Sequence, residues 1–337
     1  MVTFLQSVMK NFLAAALLLL LYSCGGSATD SSIPQYQLEP TSEVDLNKLI
    51  PNSYLINSPI AQRGDSLFYW DSAKSQVMLL NSDFEWLTYL SNGLGNGPEQ
   101  VSFFSGLSLT YDHLFLIGEK AVAYRLDNLY FAGKFRLPST EISWILPFAG
   151  RYVMGGLLYE ENRYVIFSTS FNENSGFTEV IQELDIPFPE NFDELSMVTT
   201  ASIMDDALYV FKTELGELVK INQQMEFEYD KELPLGIGRE KNLVREEDGS
   251  TDYQSIEAWD FVTHSGKIYV LRNSDKAGEP ATKAENTRKT IHVYNPQAEA
   301  IGSISLPEKA FYLSFINDQL CTIDHKEETC FCYEVLE

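Results

Sequence analysis

The residues best suited to act together chemically are three cysteines close to the C-terminus. Cys321, Cys330 and Cys332 all fall in the last predicted hairpin. Antiparallel pairing places Cys321 nearly opposite Cys332, so we expect a disulfide between them in an oxidising compartment, with buried free thiols as the alternative. His325 could be a fourth zinc ligand beside the three cysteines, but the spacing matches no standard zinc knuckle, so we predict no metal site.

Other catalytic residue types do not form a recognised constellation. There is no HExxH pair and no Gly-x-Ser-x-Gly elbow. The acidic pairs Glu160-Glu161 and Asp205-Asp206 could serve as acid and base in a glycosidase, but they lie at turn-like positions where carboxylates are usually solvated. The histidines are scattered over separate segments: His113, His264, His292 and His325. We therefore predict no catalytic residue, no metal and no cofactor.

A glycine-rich stretch invites comparison with phosphate-binding loops. It contains Gly93, Gly95, Gly97, Pro98 and Glu99. A dinucleotide loop needs a helix directly after it to receive the phosphate, and Pro98 followed by the β-like run 101–109 does not provide one. A Walker loop is also absent, since no Gly-Lys-Ser/Thr follows. The stretch therefore predicts a structural role.

The N-terminus has the form of an export signal. Lys10 precedes an apolar run, residues 12–21, that is too short to span a bilayer as a helix of about 20 residues. The sequence then reads Leu21-Tyr22-Ser23-Cys24, which resembles a lipobox, where lipoprotein signal peptidase cuts before a diacylated cysteine. The resemblance implies that residues 1–23 are removed and that Cys24 carries lipid. An ordinary secretory signal with an incidental cysteine is the alternative.

Two or three acyl chains on Cys24 would make membrane attachment effectively permanent. Residues 25–32 are small and polar, which predicts a flexible tether over 24–34 and a folded body at 35–337. We expect a location in the cell envelope at the outer membrane, and favour its periplasmic side over the cell surface because no dense acidic run follows Cys24.

Composition and charge narrow the classes of partner. Hydrophobic residues make up 45% of the chain and aromatic residues 13%, which is ample for a folded core. Removing the signal takes away only Lys10, leaving 23 Lys and Arg against 48 Asp and Glu, a net charge of -25. Such a surface repels nucleic acid and anionic headgroups. We expect no nucleic-acid partner.

The elements that carry these residues are strands. Short β-branched and aromatic runs alternate with Gly, Asn and Asp turns, and no segment sustains a helical period. The clearest unit comprises SLFYWD at 66–71, SQVMLLN at 75–81 and FEWLTYL at 84–90. Similar units begin at residues 65, 112, 150, 206, 266 and 318. Repeats of about 40 to 60 residues built from meandering strands are typical of a β-propeller, and six units predict six blades.

The ends of the chain predict how the ring closes. The last unit stops at Glu337 before its outer strand, and either 35–39 or 44–50 could supply that strand. The expected fold is all-β: a six-bladed propeller of four-stranded antiparallel meanders, closed by an N-terminal strand.

The glycine-rich stretch also carries a family resemblance. Gly93, Gly95, Gly97, Pro98 and Glu99 are similar to the Gly-x-Gly-x-Gly-Pro-Glu signature of six-bladed β-propeller lipoproteins of Bacteroidetes, related to NHL and TolB-like propellers. The resemblance implies this fold rather than an activity.

One face of such a propeller gathers the linkers and the turns between second and third strands. That face is the expected binding surface, and it holds 71–74, Glu99, 160–163, 213–216, 236–248 and 276–288. The sequence thus favours a membrane-anchored binding or scaffolding domain for a protein, peptide or glycan. An exported lactonase-like or glycosidase-like enzyme is an alternative that needs carboxylates with Asn or His in the central channel. A structural envelope component is the third.

Overall fold

The structure is a computed structural model that describes residues 33–49, 60–72, 74–90, 93–139, 141–189, 197–233, 243–245, 251–253, 258–272, 288–324 and 329–335. The expected signal peptide, Cys24 and most of the tether lie outside these residues, as do His325 and most of the 276–288 insertion. In the described part, no helix is long and apolar enough to span a bilayer.

The regular secondary structure of the described chain is almost entirely β-strand. Its N-terminal elements are β1 (Gln35–Gln37), β2 (Ser42–Asp45) and the short helix α1 (Leu46–Leu49). The first sheet comprises β3 (Ala61–Arg63), β4 (Ser66–Asp71), β5 (Gln76–Asn81) and β6 (Trp86–Leu90). The second comprises β7 (Gly106–Leu109), β8 (His113–Ile117), β9 (Lys120–Arg125) and β10 (Phe131–Arg136).

The third sheet carries an insertion. It comprises β11 (Glu141–Phe148), β12 (Arg151–Leu158), β13 (Arg163–Thr169) and β16 (Gln182–Ile186), with a 3-10 turn at Tyr159–Glu161 and a small hairpin of β14 (Phe171–Asn172) and β15 (Gly176–Phe177). The fourth comprises β17 (Thr199–Met204), β18 (Ala207–Lys212), β19 (Glu217–Ile221) and β20 (Phe227–Glu232). A hairpin of β21 (Leu243–Arg245) and β22 (Thr251–Tyr253) follows.

The last two sheets recruit the N-terminal strands. The fifth comprises β23 (Ala258–His264), β24 (Lys267–Arg272), β25 (Thr290–Tyr294), β26 (Ala300–Ser305) and, parallel to β26, β1. The sixth comprises β27 (Tyr312–Ile316), β28 (Gln319–Asp324), β29 (Thr329–Tyr333) and, antiparallel to β29, β2.

These six sheets are the blades of a propeller. The innermost strands β3, β7, β11, β17, β23 and β27 each contact the next in that order, and β27 contacts β3. Each of the six interfaces between neighbouring blades holds one hydrophobic cluster of the described residues. Burying both faces of each sheet against a neighbour accounts for the near-continuous apolar sequence of second strands such as β8. The predicted all-β six-bladed propeller is confirmed.

The two N-terminal segments have different destinations. Segment 35–39 was one of two candidates for the outer strand of the last blade, but its residues Gln35–Gln37 extend the fifth blade instead. In the sixth blade the outer strand is Ser42–Asp45, and the chain then turns into α1 within the other predicted segment, 44–50.

The predicted repeat starts all lie in the turn between the first and second strand of a blade. Asn317 and Asp318, for example, both have positive φ in the turn from β27 to β28. Each blade therefore begins one strand earlier than the repeat that the sequence suggests. Some innermost strands are short and polar, such as Ala61–Arg63, and give a weak strand signal in the sequence.

Candidate functional site

The central channel contains a cavity lined by described residues of five blades. Its volume is about 490 Å³, within the range of small-molecule sites. The lining comes mainly from the first halves of the innermost strands of blades 2 to 6 and from the β18–β19 turn. It therefore lies at the end of the channel where the linkers enter, on the face predicted for binding. Hydroxyl groups line much of it, from Ser105, Ser108, Ser143, Thr199, Thr200, Thr213 and Tyr312.

Asp260 is the most unusual group in this cavity. Only 6% of the residue is exposed. Its Oδ1 accepts a hydrogen bond from the Phe261 amide and its Oδ2 from the Leu313 amide, both at 2.8 Å. Burial raises the pKa of Asp260 to about 7 despite these two bonds, because desolvation disfavours the carboxylate. The channel thus contains an acid that titrates near neutral pH.

Local backbone geometry places Asp260. The β23–β24 register shifts between Ala258 and Asp260, as at a β-bulge, which re-aims the side chain. The bond to Leu313 joins the innermost strands of blades 5 and 6. Neighbouring Tyr312 has its pKa raised to about 12, chiefly by burial and also by the charge of Asp260.

Other lining groups are fixed by hydrogen bonds. Trp144 Nε1 donates to Thr199 Oγ1 at 3.1 Å, and Ser108 Oγ accepts from the Ile145 amide at 3.1 Å. Thr200 Oγ1, by contrast, has no hydrogen-bond partner within the described residues. The bonded part of the wall is therefore preorganised, and the buried Thr200 hydroxyl is left without a partner.

The described lining residues of the cavity include acidic but no basic side chains. Asp260 and Glu214 contribute carboxyl groups, whereas the described lining residues include no Lys, Arg or His. A cavity with this lining suits neutral polar or cationic groups and disfavours anions.

A second concave site lies at the opposite end of the propeller, formed by turns of blades 1 and 2 and the β14–β15 hairpin of blade 3. Its volume is about 320 Å³. His113 Nε2 lies 2.9 Å from Glu173 Oε1, and Arg125 Nη1 lies 3.7 Å from Glu173 Oε2. Arg125 also pairs with Asp127. The hairpin is thus tied to blade 2 by a histidine–carboxylate pair, an arrangement that can orient an imidazole.

The glycine motif forms a tight linker between blades 1 and 2. Gly93 and Gly95 have φ of 84° and 148°, and a Cβ at Gly95 would clash with Gln100 Oε1. Lys134 Nζ donates to the carbonyls of Gly97 and Gln100 at 3.1 and 2.6 Å. Pro98 and Glu99 lie in the same linker, and none of the five motif residues lines the channel cavity. The geometry of this linker fits a structural role rather than phosphate binding.

The cysteine cluster is buried in the sixth blade. Cys321 and Cys332 are register partners and are joined by a disulfide. Cys330 is a free thiol whose Sγ lies 4.0 Å from that of Cys332, and burial raises its pKa to about 12. All three sulfurs lie within 4.8 Å of one another. The disulfide occupies two of the three, so the cluster does not present three thiolates to a metal.

The remaining sequence candidates do not come together. Glu161 pairs with Arg163 at the surface, and Asp205 and Asp206 form a turn with positive φ. His264 stacks on Phe315. None of these side chains lines the channel cavity.

Comparison with known proteins identifies a fold. No family model matches this chain, and no curated protein matches it. Among solved structures, a Bacteroides fragilis protein described as exported superposes with a TM-score of 0.59 at 11% identity, over 90% of this chain and 99% of that chain. A chain of a mitotic checkpoint complex gives 0.54 at 10% identity, over 92% and 98% of the two chains.

A third solved structure has an enzyme's name. Virginiamycin B lyase from Staphylococcus aureus superposes with a TM-score of 0.51 at 9% identity, over 88% of this chain and 99% of that chain. At identities this low the similarity extends to the propeller fold alone.

Proposed function

We propose that this protein is a lipid-anchored binding propeller of the cell envelope, with its ligand held at the linker-face mouth of the central channel. The observation that carries the proposal is the cavity of about 490 Å³. Hydroxyl groups and a buried carboxyl group line it at the linker face of the propeller. A few fixed polar groups in a large concave site are the usual features of ligand recognition.

The anchor and the location are supported by the N-terminal sequence. The apolar run and Leu21-Tyr22-Ser23-Cys24 fit export followed by lipidation. The glycine signature at 93–99, together with a fold shared with a Bacteroides protein described as exported, supports membership of the Bacteroidetes propeller lipoproteins. The proposal places the domain at the outer membrane on its periplasmic side.

Fractionation tests the anchor. Cys24→Ser should move the protein from the membrane fraction to the soluble fraction with an unchanged melting temperature, because the lipid lies outside the propeller. Cys330→Ser serves as the matched control and should stay with the membrane. Retention of Cys24→Ser in the membrane fraction would contradict lipidation at this residue.

Blocking the cavity tests the binding site. Thr200→Trp introduces a large side chain among the channel hydroxyls, and Thr88→Trp introduces it on the exposed outer strand of blade 1. Ligand-observed NMR with a panel of monosaccharides, free amino acids and short neutral peptides should give contacts that Thr200→Trp removes and Thr88→Trp preserves. If both variants behave alike, the channel is not the binding site.

The enzyme alternative has less support. The expected lactonase-like or glycosidase-like centre needs Asn or His beside carboxylates in the channel, and the described lining offers neither. The observation in its favour is the His113–Glu173 pair at the opposite end, together with the fold shared with a lyase. Asp112 and Asp127 also line that site, and Asp127 pairs with Arg125. Its described lining residues include no Ser, Thr or Cys that could act as a nucleophile. No feature of the structure favours a purely structural envelope component.

A further inference from the structure

Asp260 is a buried carboxyl group without a cationic partner. Its contacts are the two amide groups of Phe261 and Leu313, and no Lys, Arg or His among the described residues pairs with it. Buried carboxylates are ordinarily paired with a cation or are neutralised by protonation, because desolvating a lone charge is costly. The buried carboxyl group of Asp260 therefore has no counter-charge in the described channel wall.

The groups around Asp260 do not supply the missing positive charge. From its own strand it meets the Phe261 amide, and from β27 it meets the Leu313 amide and the Tyr312 side chain. Glu214, from the β18–β19 turn, lines the same cavity and adds further acidity. The side chains facing the cavity are thus acidic, hydroxylated or apolar.

We infer that the channel ligand carries a protonated amine and that Asp260 is the counter-charge that receives it. This inference rests on the proposed function and names the chemical class of its ligand. An ammonium group would pair with the carboxylate and donate its other hydrogen bonds to hydroxyl oxygens of the cavity lining. The amine could belong to a lysine side chain of a peptide or to an amino sugar.

Binding of an amine should be linked to pH. Asp260 holds its proton to about pH 7 in the free protein. A cation placed beside it favours the ionised form, so binding releases a proton and becomes tighter as pH rises. Between pH 5.5 and 8 the ionised fraction of a group with this pKa rises by a factor of roughly 30, which sets the upper limit for the affinity gain.

Calorimetry on the Cys24→Ser protein provides the test. The probe is n-butylammonium, and n-butanol is its neutral counterpart of similar shape. We expect n-butylammonium to bind more tightly at pH 8 than at pH 5.5 by at least tenfold. In buffers of different ionisation enthalpy at pH 7, binding should release up to about 0.5 proton per site. Equal affinity for n-butanol, or pH-independent binding with no proton release, would overturn the inference.

A variant pair assigns the effect to the residue. Asp260→Asn should weaken n-butylammonium binding by at least tenfold and abolish its pH dependence, whereas Asp83→Asn, an exposed turn residue, should change neither. Because Asp260→Asn also loses a hydrogen-bond acceptor and can disturb folding, proton release by the unmutated carboxyl is the deciding measurement.

Two further probes distinguish the sources of the amine. Nα-acetyl-lysine amide represents a peptide side chain and glucosamine an amino sugar, with norleucine amide acetylated at Nα and glucose as neutral controls. Preference for either amine over its control supports the inference and names the source. If neutral probes bind in a manner blocked by Thr200→Trp and amines bind no better, the binding function stands and the amine inference fails. If no probe binds, both fail.

Discussion

Asp260 lies on the innermost strand of blade 5 with its carboxyl group buried against blade 6. It lies in an apolar strand with no motif around it, and only the closure of blades 5 and 6 buries it against the Leu313 amide. The sequence could predict neither its burial nor its place in the channel.

The stability of the propeller should depend on pH through this residue. The pKa of Asp260 is about 7 in the folded chain against an ordinary 3.8, so its contribution is fully present below about pH 4 and is lost as pH rises to 7. The difference between these values corresponds to at most about 4 kcal/mol. Urea unfolding at pH 4.5 and 7.5 should show a smaller pH-dependent loss for Asp260→Asn than for the unmutated protein. Asp83→Asn, as control, should follow the unmutated protein, and identical pH profiles for all three would contradict the assignment.

Lys212 is a second buried charge, and this one is paired. Its Nζ lies 2.9 Å from Glu217 Oε2 and 2.8 Å from Asp230 Oδ2, with only 1% of the side chain exposed. Lys212→Met leaves two neighbouring carboxylates without their cation, so we expect a loss of about 3 kcal/mol in the free energy of unfolding. The exposed Lys120→Met is the control and should stay within about 0.5 kcal/mol. Chemical denaturation measures both, and equal stabilities would show that the ion pairs contribute nothing.

At the scale of elements, three blades share a turn that the sequence contains as Asn-x-x-x-Glu. It joins the third and fourth strands in blades 1, 4 and 5, beginning at Asn81, Asn222 and Asn295. In each, the Asn side chain accepts two amide hydrogen bonds and donates one to the Glu carboxylate. The Asn and Glu residues of this motif recur in the sequence at the same spacing. They lie in turns, so the alternation of side chains along the strands does not indicate them.

The turn at Asn222 should contribute to stability through those bonds. Asn222→Ala removes the acceptor of the Gln224 and Glu226 amides, at 2.9 and 3.0 Å, and loosens the turn that places Met225 in the core. We expect a loss of about 1 to 2 kcal/mol. Gln223→Ala changes the same turn without removing these bonds and should be nearly neutral. Thermal unfolding distinguishes them, and equal melting temperatures would show that the backbone alone maintains the turn.

At the scale of the whole molecule, the N-terminal segment belongs to two blades. Strand β1 extends blade 5 and β2 supplies the outer strand of blade 6. Thr41 donates to the carbonyl of Cys332 from its amide and from its hydroxyl, across almost the full length of the chain. Residue 41, near the start of the propeller, is therefore bonded to its last strand beside the disulfide.

Truncation should show how much β1 and β2 contribute to the stability of the propeller. A chain that begins at Leu46 loses both strands and leaves β29 as an open edge, so we expect a melting temperature lower by 10 °C or more, on the order of several kcal/mol. A chain that begins at Gln35 retains both and should melt like the Cys24→Ser protein. Differential scanning calorimetry compares them, and a Leu46 chain as stable as the Gln35 chain would show that the N-terminal strands do not stabilise the ring.

The sequence by itself determined the all-β class, the six repeats and the ring, because alternation of side chains and turn residues are local properties of each strand. It also predicted that Cys321 lies opposite Cys332 in one hairpin, whereas the choice between a disulfide and buried free thiols came from the structure. Only the tertiary structure decided where β1 and β2 pair and that Asp260 enters the channel wall without a cation. Those outcomes depend on contacts between different blades, such as Asp260 with Leu313, and local periodicity carries no information about such contacts.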